Sequence, residues 1–348
     1  MSRHAVSCIV KIYSLFASFV MEASSRPVVV RFPAIILPPE LQKMVDEADI
    51  DMIVANPSEV FQMSEESTRR VTGMVLYTKT YCKISGELMD CFPNLKVISN
   101  FGAGVDNVDV VAASERGIAV GNTPGVLSDC TADMAFALLM ASARNIVEGD
   151  KISKSPETKQ ISYLHGYYGR RVTGSTIGIV GMGGIGSAVA KRANGFDMRI
   201  VYHNRNRREI EEKTFGAQYC NTLDELLCQS DFVVLCTPLT KETANLITER
   251  ELALMKSTAT LVNIARGGIV NQTDLSKALQ SGVIRAAAMD VTDPEPLPRD
   301  HPLLKLPNVI ITPHMGSATV YTRMKMMEVV LMNLKAGLNG EKLPFRFN

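Results

Sequence analysis

Short apolar, β-branched runs alternate along the chain with segments whose apolar residues recur at helical spacing. Runs without polar alternation are typical of parallel strands, because helices cover both faces of such a sheet. The pattern therefore predicts an α/β fold with doubly wound parallel sheets. The predicted strands are Val28–Phe32, Asp51–Val54, Gly73–Tyr77, Leu95–Ser99, Thr176–Val180, Met198–Tyr202, Phe232–Leu235, Thr260–Asn263, Ala286–Met289 and Val309–Thr312.

The predicted strands fall into two groups, which indicate two domains. A Thr-Pro-Gly turn at 123–125 ends the first group, and a long apolar helix is predicted directly after it, at Leu127–Val147. The last predicted helix, Ser317–Leu338, is expected to return to the first group. We therefore predict one discontinuous domain from residues 26–123 and 318–348, and a second from residues 124–317. Further helices are predicted at Glu40–Glu47 and Ile185–Ala193.

The first 25 residues are predicted to lie outside the fold. The segment is apolar and serine-rich and has no acid before Glu22, which fits a weak organellar targeting segment in residues 1–20. Lys11 interrupts the apolar stretch and makes it a poor secretory signal. We favour a disordered extension, or an isoform segment for which Met21 is the effective start, and keep organellar targeting as the alternative.

The bulk composition excludes several classes of protein. A formal net charge of +1 gives no electrostatic footprint for nucleic acid, and no apolar run reaches transmembrane length. The seven cysteines form no C-x-x-C pair and no metal-ligand spacing with histidine. These features predict a cytoplasmic protein with reduced thiols that binds no metal, nucleic acid or membrane.

A glycine fingerprint follows the strand predicted at Thr176–Val180. Gly181, Gly183 and Gly186 have the G-x-G-x-x-G spacing, and a helix is predicted next. The first glycine permits a tight turn, the second admits a pyrophosphate, and the third lets the helix pack closely. This context favours a dinucleotide site in a Rossmann-type domain over a glycine-rich turn without a ligand. The residues predicted to bind the pyrophosphate are Gly181, Met182, Gly183, Gly184, Ile185 and Gly186.

A basic segment follows the next strand, where NAD sites usually place an acid for the ribose 2′-hydroxyl. Tyr202 and His203 occupy that position, and no acid occurs before Glu209. Arginines can hold a 2′-phosphate by forked, charge-assisted hydrogen bonds. The segment therefore predicts NADP(H), with weaker use of NAD(H), although a solvated basic loop is the alternative. The predicted contacts are His203, Asn204, Arg205 and Arg207.

Three further side chains follow predicted strands of the second domain, at the sheet edge where ligands bind. Arg266 suits a carboxylate, Glu295 can orient an imidazole, and His314 can donate a proton near neutral pH. Taken singly, each residue has a structural alternative: a salt-bridged arginine, a solvated acid and a loop histidine. Together with a nicotinamide site they make a minimal 2-oxo acid reductase.

These motifs give the chain a family resemblance from about Val28 to its C-terminus. It resembles the D-isomer-specific 2-hydroxyacid dehydrogenases. The five matching motifs are Asn100–Asp109, Gly181–Gly186, Asn263–Gly268, Asp290–Pro296 and Pro313–Ser317. The resemblance implies that residues 26–123 and 318–348 form a flavodoxin-like substrate domain, and that residues 124–317 form the dinucleotide-binding domain.

The resemblance also implies roles for individual residues. Arg266, Glu295 and His314 would be the catalytic set, with His314 as proton donor. Arg266 and His314 would also contact the substrate. The carboxylate of a 2-oxo acid would be held by amides of the loop Gly102, Ala103, Gly104 and Val105. The cofactor would be contacted by Asp290 at the nicotinamide carboxamide, by Thr237 and Ile264 in the cleft, and by Gly316.

Within the family the chain looks most like the glyoxylate/hydroxypyruvate reductase branch, which uses NADPH and includes 2-ketogluconate reductases. The chain has no tryptophan, whereas several glyoxylate-preferring relatives place tryptophans in the stretch that corresponds to 152–169. A longer polyol acid is therefore an alternative substrate. That stretch carries Tyr163, Leu164, Tyr167 and Tyr168.

Two further expectations concern partners. The apolar helix predicted at Leu127–Val147 has little polar face, so it is buried in a core or against a partner. The resemblance favours a homodimer through the dinucleotide-binding domain. The fold also hosts NAD(P)-sensing corepressors, an alternative that the basic segment after residue 202 disfavours.

Overall fold

Two parallel sheets organise the structure, a computed structural model. It describes residues 26–32, 36–77, 83–158 and 168–348. The first sheet has the strand order β2-β1-β3-β4-β5 and comprises β1 (Val28–Phe32), β2 (Asp51–Val54), β3 (Val71–Tyr77), β4 (Val97–Phe101) and β5 (Ala119–Gly121). The second has the order β12-β11-β10-β9-β6-β7-β8 and comprises β6 (Thr176–Val180), β7 (Arg199–His203), β8 (Gln218–Tyr219), β9 (Phe232–Leu235), β10 (Thr260–Asn263), β11 (Ala286–Met289) and β12 (Val309–Ile311).

Helices connect the strands and bury both faces of each sheet. In the first half of the chain they are α1 (Pro39–Asp46), α2 (Glu65–Arg70), α3 (Gly86–Asp90), α4 (Val110–Glu115), α5 (Ser128–Ala143) and α6 (Ile146–Lys154). In the second half they are α7 (Gly184–Asn194), α8 (Glu209–Phe215), α9 (Leu223–Gln229), α10 (Glu249–Leu254), α11 (Gln272–Gln280) and α12 (Val320–Leu338). The α/β class with two parallel sheets is therefore confirmed.

Each predicted strand is present, with its ends within two residues of the prediction. The strands β5 and β8 were not predicted, because they have only three and two residues, too few for a recognisable strand pattern. Strand β8 forms by pairing with β7, and β5 forms by pairing with β4 and by a bridge between Gly121 and Arg346.

The prediction of one helix over residues 127–147 is wrong. The segment forms α5 and α6, and Asn145 between them has a left-handed backbone with φ of 52°. Partners from distant parts of the chain bind the end of α5: Arg285 Nη2 donates to the Ser142 carbonyl (2.8 Å), and Arg170 N donates to the Ala143 carbonyl (2.7 Å). The last helix also begins later than predicted, because the Thr319 hydroxyl caps the amide of Thr322.

Helix α12 packs on the first sheet. The Ser99 hydroxyl donates to the Val330 carbonyl (2.9 Å), and Gly337 lies so close to Val97 that a β-carbon there would overlap its side chain. The chain thus crosses back from the second sheet to the first after β12. The proposed domain boundaries stay a prediction. The interpretation of residues 1–25 also stays a prediction, because these residues lie outside the described part of the chain. Tyr163, Leu164 and Tyr167 lie outside it too.

Candidate active site

The imidazole of His314 is hydrogen-bonded to a carboxylate. Its Nδ1 lies 3.0 Å from Oε2 of Glu295, and the other carboxylate oxygen accepts the backbone amide of Thr292 (3.0 Å). A carboxylate can only accept, so Nδ1 carries the proton of this hydrogen bond. This arrangement leaves Nε2 for exchange of a proton with a substrate.

The loop that carries His314 is held by a buried acid. His314 has φ of 56°, a left-handed conformation that is uncommon outside glycine, and its amide donates to the Asp290 carbonyl (2.8 Å). The Asp290 carboxylate accepts from Thr312 Oγ1 (2.5 Å), Met315 N (2.8 Å) and Gly316 N (2.7 Å). Asp290 therefore fixes the position of the imidazole. Its predicted contact with a nicotinamide carboxamide stays a prediction.

Arg266 reaches from the end of β10 to the first sheet's loops. Its Nε donates to both carboxylate oxygens of Asp106 (3.0 and 3.1 Å), and its Nη1 donates to the Ala265 carbonyl (2.8 Å). Nη2 lies against Gly104, where a β-carbon would overlap it. The absence of a side chain at Gly104 is therefore what lets the guanidinium approach this loop.

The loop after β4 presents amides beside that guanidinium. Its carbonyls are engaged: Asn100 Nδ2 donates to Gly104 (2.7 Å), Asn122 Nδ2 donates to Ala103 (2.7 Å), and Thr123 N donates to Gly102 (3.0 Å). By contrast, three successive amides make no hydrogen bond within the described part of the chain. They belong to Ala103, Gly104 and Val105. Unpaired amides next to an arginine form an anion-binding site.

The glycine fingerprint has the close approaches that its spacing predicts. Gly181 has φ of 98°, and a β-carbon there would lie 3.0 Å from the amide nitrogen of Thr237. At Gly186 a β-carbon would overlap the Gly181 carbonyl, whereas at Gly183 it would meet open space. Helix α7 starts at the next residue, so the amides of its first turn are available to an anion. The loop therefore fits a dinucleotide pyrophosphate.

In the basic segment after β7, some side chains already form hydrogen bonds or ion pairs with the described part of the protein, whereas Arg205 does not. Arg207 forms a two-pronged ion pair with Glu212 (2.8 and 3.0 Å), and His203 Nδ1 lies 3.0 Å from the Cys220 carbonyl. Asn204 Oδ1 accepts the amide of Met182 in the glycine loop (3.2 Å). Arg205 is exposed and has no hydrogen bond or ion pair among the described residues. Of the two arginines predicted to bind a 2′-phosphate, Arg205 is thus the one available without rearrangement.

Hydrogen bonding and burial in this segment shift the pKa values of Glu212 and Tyr202. Hydrogen bonds from Arg207 and from the Tyr202 hydroxyl (2.6 Å) lower the pKa of Glu212 to about 2. Burial, followed by the hydrogen bond to Glu212, raises the pKa of Tyr202 to about 12. The cluster is therefore a fixed link between β7 and α8.

The predicted catalytic residues meet in one cleft of about 680 Å³. Arg266, Glu295 and His314 line it, together with Asp106 from the first sheet's side. Thr237 follows β9 and Ile264 follows β10, so both lie at the same carboxyl edge of the second sheet. Ile264 is buried.

Sequence reasoning missed the residues that support this site. They are Asp106, Asn100, Asn122 and Thr312. Each asparagine stands at or just after the end of a strand of the first sheet, where a polar side chain indicates a site. Asp106 lies two residues after Gly104, but its partner Arg266 is 160 positions away in sequence, so the contact is visible only in the folded structure.

Comparison with known proteins assigns the family. Residues 136–316 match the family described as D-isomer specific 2-hydroxyacid dehydrogenase, NAD binding domain. A glyoxylate reductase of Pyrococcus horikoshii is 47% identical over 269 residues, which cover 76% of this chain and 80% of the relative. One of Korarchaeum cryptofilum is 49% identical over 261 residues, covering 75% and 78%. The chain belongs to the D-isomer-specific 2-hydroxyacid dehydrogenase family.

A solved structure supports the same assignment. The NADPH-dependent glyoxylate/hydroxypyruvate reductase of Sinorhizobium meliloti, in complex with NADP and malonate, superposes with a TM-score of 0.83 at 31% identity. The alignment covers 93% of this chain and 97% of that one. Within the part of the chain that the structure describes, no helix has the length and apolar character needed to cross a membrane.

Proposed function

We propose that this protein is an NADPH-dependent reductase that converts glyoxylate and hydroxypyruvate to the corresponding 2-hydroxy acids, with the D configuration for the product of hydroxypyruvate. The observation that carries the proposal is the set of three unpaired amides at Ala103, Gly104 and Val105, next to Arg266 and in reach of the His314 cleft. This arrangement suits a small acid whose carboxylate and carbonyl oxygens lie close together. The names of the relatives point to the same substrates.

Each side chain has a defined part in the reaction. The loop amides and Arg266 hold the carboxylate, and the guanidinium also polarises the carbonyl that becomes negatively charged. When bound, the reduced nicotinamide supplies the hydride. His314 gives its proton to the oxygen as the charge develops, and Glu295 stabilises the charged, correctly oriented imidazole.

Cofactor preference gives a direct test. NADPH should exceed NADH by about tenfold or more in kcat/KM, since no acid stands at the end of β7 to bind a ribose hydroxyl. Replacing Arg205 and Arg207 together by Ala should cost roughly 1–3 kcal/mol of transition-state stabilisation with NADPH and spare NADH. Arg205→Ala alone should account for most of that loss, because Arg207 is paired with Glu212.

The matched control is Arg208→Ala, which removes a neighbouring arginine that pairs with Glu211. It should leave the ratio of the two cofactors nearly unchanged. Equal kcat/KM with NADPH and NADH in the unmutated enzyme would contradict the cofactor assignment.

Initial rates with NADPH and three 2-oxo acids test the substrate. We expect glyoxylate and hydroxypyruvate to be reduced with higher kcat/KM than 2-ketogluconate. The opposite order would make the protein a 2-ketogluconate reductase with the same chemistry.

The cytoplasm is the expected compartment, because five described cysteines are free thiols.

A further inference from the structure

Asn333 is a buried polar residue inside α12. It is 0% exposed, and asparagine is a poor residue for a helix interior because its side chain competes for backbone hydrogen bonds. Both polar groups of its side chain are paired: Nδ2 donates to the Asn122 carbonyl (3.1 Å), and Oδ1 accepts the amide of Phe345 (3.0 Å). A buried amide costs free energy unless it is hydrogen-bonded, so these two partners account for an asparagine at this position.

The same three residues form a closed cycle of hydrogen bonds. The amide of Asn122 donates to the Phe345 carbonyl (3.2 Å), so both backbone polar groups of Asn122 have a partner in α12 or in the segment after it. At Gly121 a β-carbon would lie 2.7 Å from Asn333 Nδ2, so a glycine is needed there for this approach. The backbone of Asn122 is therefore fixed on both sides.

The segment that follows α12 lies along the edge of the first sheet. Gly121 and Arg346 form an antiparallel bridge, and the amide of Phe347 donates to the Val120 carbonyl (2.7 Å). These contacts hold the partners of Asn122 against β5. The cycle is therefore part of a hydrogen-bonded sheet edge.

Asn122 connects this edge to the substrate loop, residues 102–105. Its Nδ2 donates to the Ala103 carbonyl (2.7 Å), and the amide of Thr123 donates to the Gly102 carbonyl (3.0 Å). In a planar trans peptide unit, a carbonyl and the amide of the next residue point in opposite directions. Holding these two carbonyls on one side of the loop therefore directs the amides of Ala103 and Gly104 to the other side. They are two of the three unpaired amides beside the catalytic arginine.

We propose that Asn122 and Asn333 are positioning residues for the substrate carboxylate. Asn333 fixes the backbone of Asn122, and the Asn122 side chain holds the Ala103 carbonyl away from the substrate. The loop amides are then directed at the carboxylate before it binds, which lowers the cost of binding. Neither asparagine lines the catalytic cleft. The inference rests on the proposed reductase function and adds to it a residue of α12 that acts through another residue.

The test measures kcat and the KM values for glyoxylate and NADPH in the full-length enzyme. In Asn122→Ala the KM for glyoxylate should rise about fivefold, the worth of one hydrogen bond, while kcat and the KM for NADPH change less than about twofold. Asn333→Ala should give a smaller rise of the same kind. Asn333→Asp keeps the acceptor for Phe345 but turns an oxygen towards the Asn122 carbonyl, so it should raise this KM at least as much as Asn333→Ala.

A double-mutant cycle separates positioning from general destabilisation. If Asn333 acts through Asn122, its effect on the KM for glyoxylate should largely disappear when residue 122 is already alanine. Asn308→Ala is the matched control, because that side chain also donates to backbone carbonyls, those of Arg285 and Leu279, but lies in the second sheet's half of the molecule. It should lower Tm and leave the KM for glyoxylate unchanged.

Calorimetric titration of oxalate in saturating NADP⁺ measures the anion site without the reaction, because oxalate accepts no hydride. Its Kd should rise in Asn122→Ala by the same factor as the KM for glyoxylate. If the unmutated enzyme binds oxalate in this way but does not reduce glyoxylate, the proposed function fails and the positioning role stands. The positioning role is overturned if oxalate does not bind, if its Kd is the same in Asn122→Ala, or if Asn333→Ala raises KM by the same factor in both backgrounds.

Discussion

His314 is held in a left-handed backbone conformation by contacts that do not involve its side chain. A replacement at this position therefore changes the chemistry more than the loop. His314→Gln keeps a hydrogen-bond donor but removes proton transfer, so kcat should fall roughly 10²–10⁴-fold. Stopped-flow and steady-state rates with glyoxylate, together with NADPH titration, would measure this, and NADPH binding should be nearly unchanged.

In the unmutated enzyme, reduction needs the protonated imidazole and oxidation needs the neutral one. The two directions should therefore show opposite pH dependence. Near-normal glyoxylate reduction by the Gln variant would show that another group donates the proton. His203 and His301 would then be examined first, together with His165, which lies outside the described residues.

Gly104 is the residue at which the substrate loop meets Arg266. In Gly104→Ala the new methyl group would overlap Nη2 of Arg266 and displace the guanidinium from the loop amides. We expect KM for the 2-oxo acid to rise at least about tenfold, the equivalent of one charged hydrogen bond, with a much smaller change in KM for NADPH. Gly149→Ala is the matched control, since a β-carbon there meets nothing within 4 Å. Equal effects of the two substitutions would rule out this role for Gly104.

The sequence predicted the candidate catalytic residues better than the residues that hold them in position. Arg266, Glu295 and His314 follow apolar strands, and their place at a sheet edge could be inferred from the chain alone. Asp106 contacts Arg266 across 160 positions of sequence, so its partner depends on how the two sheets face each other. For Arg207 the sequence could not show a competing partner. Its place in the basic segment after β7 predicts a contact with a 2′-phosphate, but its two hydrogen bonds to Glu212 on α8 are visible only in the structure.

At the scale of elements, strands were easier to predict than the ends of helices. A buried parallel strand is recognised by its own apolar run, whereas the end of α5 depends on partners from residues 170 and 285. Asn145 accepts the left-handed conformation that lets α6 start in a new direction. The continuous apolar composition of this region conceals that change.

The link between β7 and α8 should be sensitive to acid. The pKa of Glu212 is about 2 in the folded protein and ordinarily 4.5, so its ion pair stabilises the fold above pH 4.5. That stabilisation should be lost progressively as pH falls from 4.5 towards 2. Urea unfolding followed across this range should give a smaller pH-dependent loss for Glu212→Gln than for the unmutated protein. Glu209→Gln, on the same helix, should behave like the unmutated protein.

At the scale of the whole molecule, the site exists only because the chain returns to its first sheet. Helix α12 starts directly after the His314 loop and packs on β3 and β4, whose ends carry Tyr77 and the substrate loop. The order of apolar segments predicted that return, since a final helix follows the last strand of the second group. The pattern could not predict the cleft between α1, the ends of β3 and β4 and the start of α12, because its walls come from four separate parts of the chain.

The last prediction concerns assembly. Helix α5 packs largely on its own chain, against α7, β10 and β11, so its apolar composition is not by itself an argument for a partner. The argument rests instead on two adjacent apolar side chains at the start of α6: Ile146 is 53% exposed and Val147 is 42% exposed. We predict that a second copy covers these two side chains in a dimer. Sedimentation at micromolar concentration should give a mass of about twice 38.0 kDa.

Substitution of both Ile146 and Val147 by Glu should shift the protein towards the mass of one chain, because a dimer would bury the two charges without partners. Ile210→Glu is the control, since that side chain is 78% exposed on α8, in another part of the domain. It should leave the sedimenting mass unchanged. A single-chain mass for the unmutated protein would contradict the dimer and would mean that the exposed apolar face at Ile146 serves another purpose.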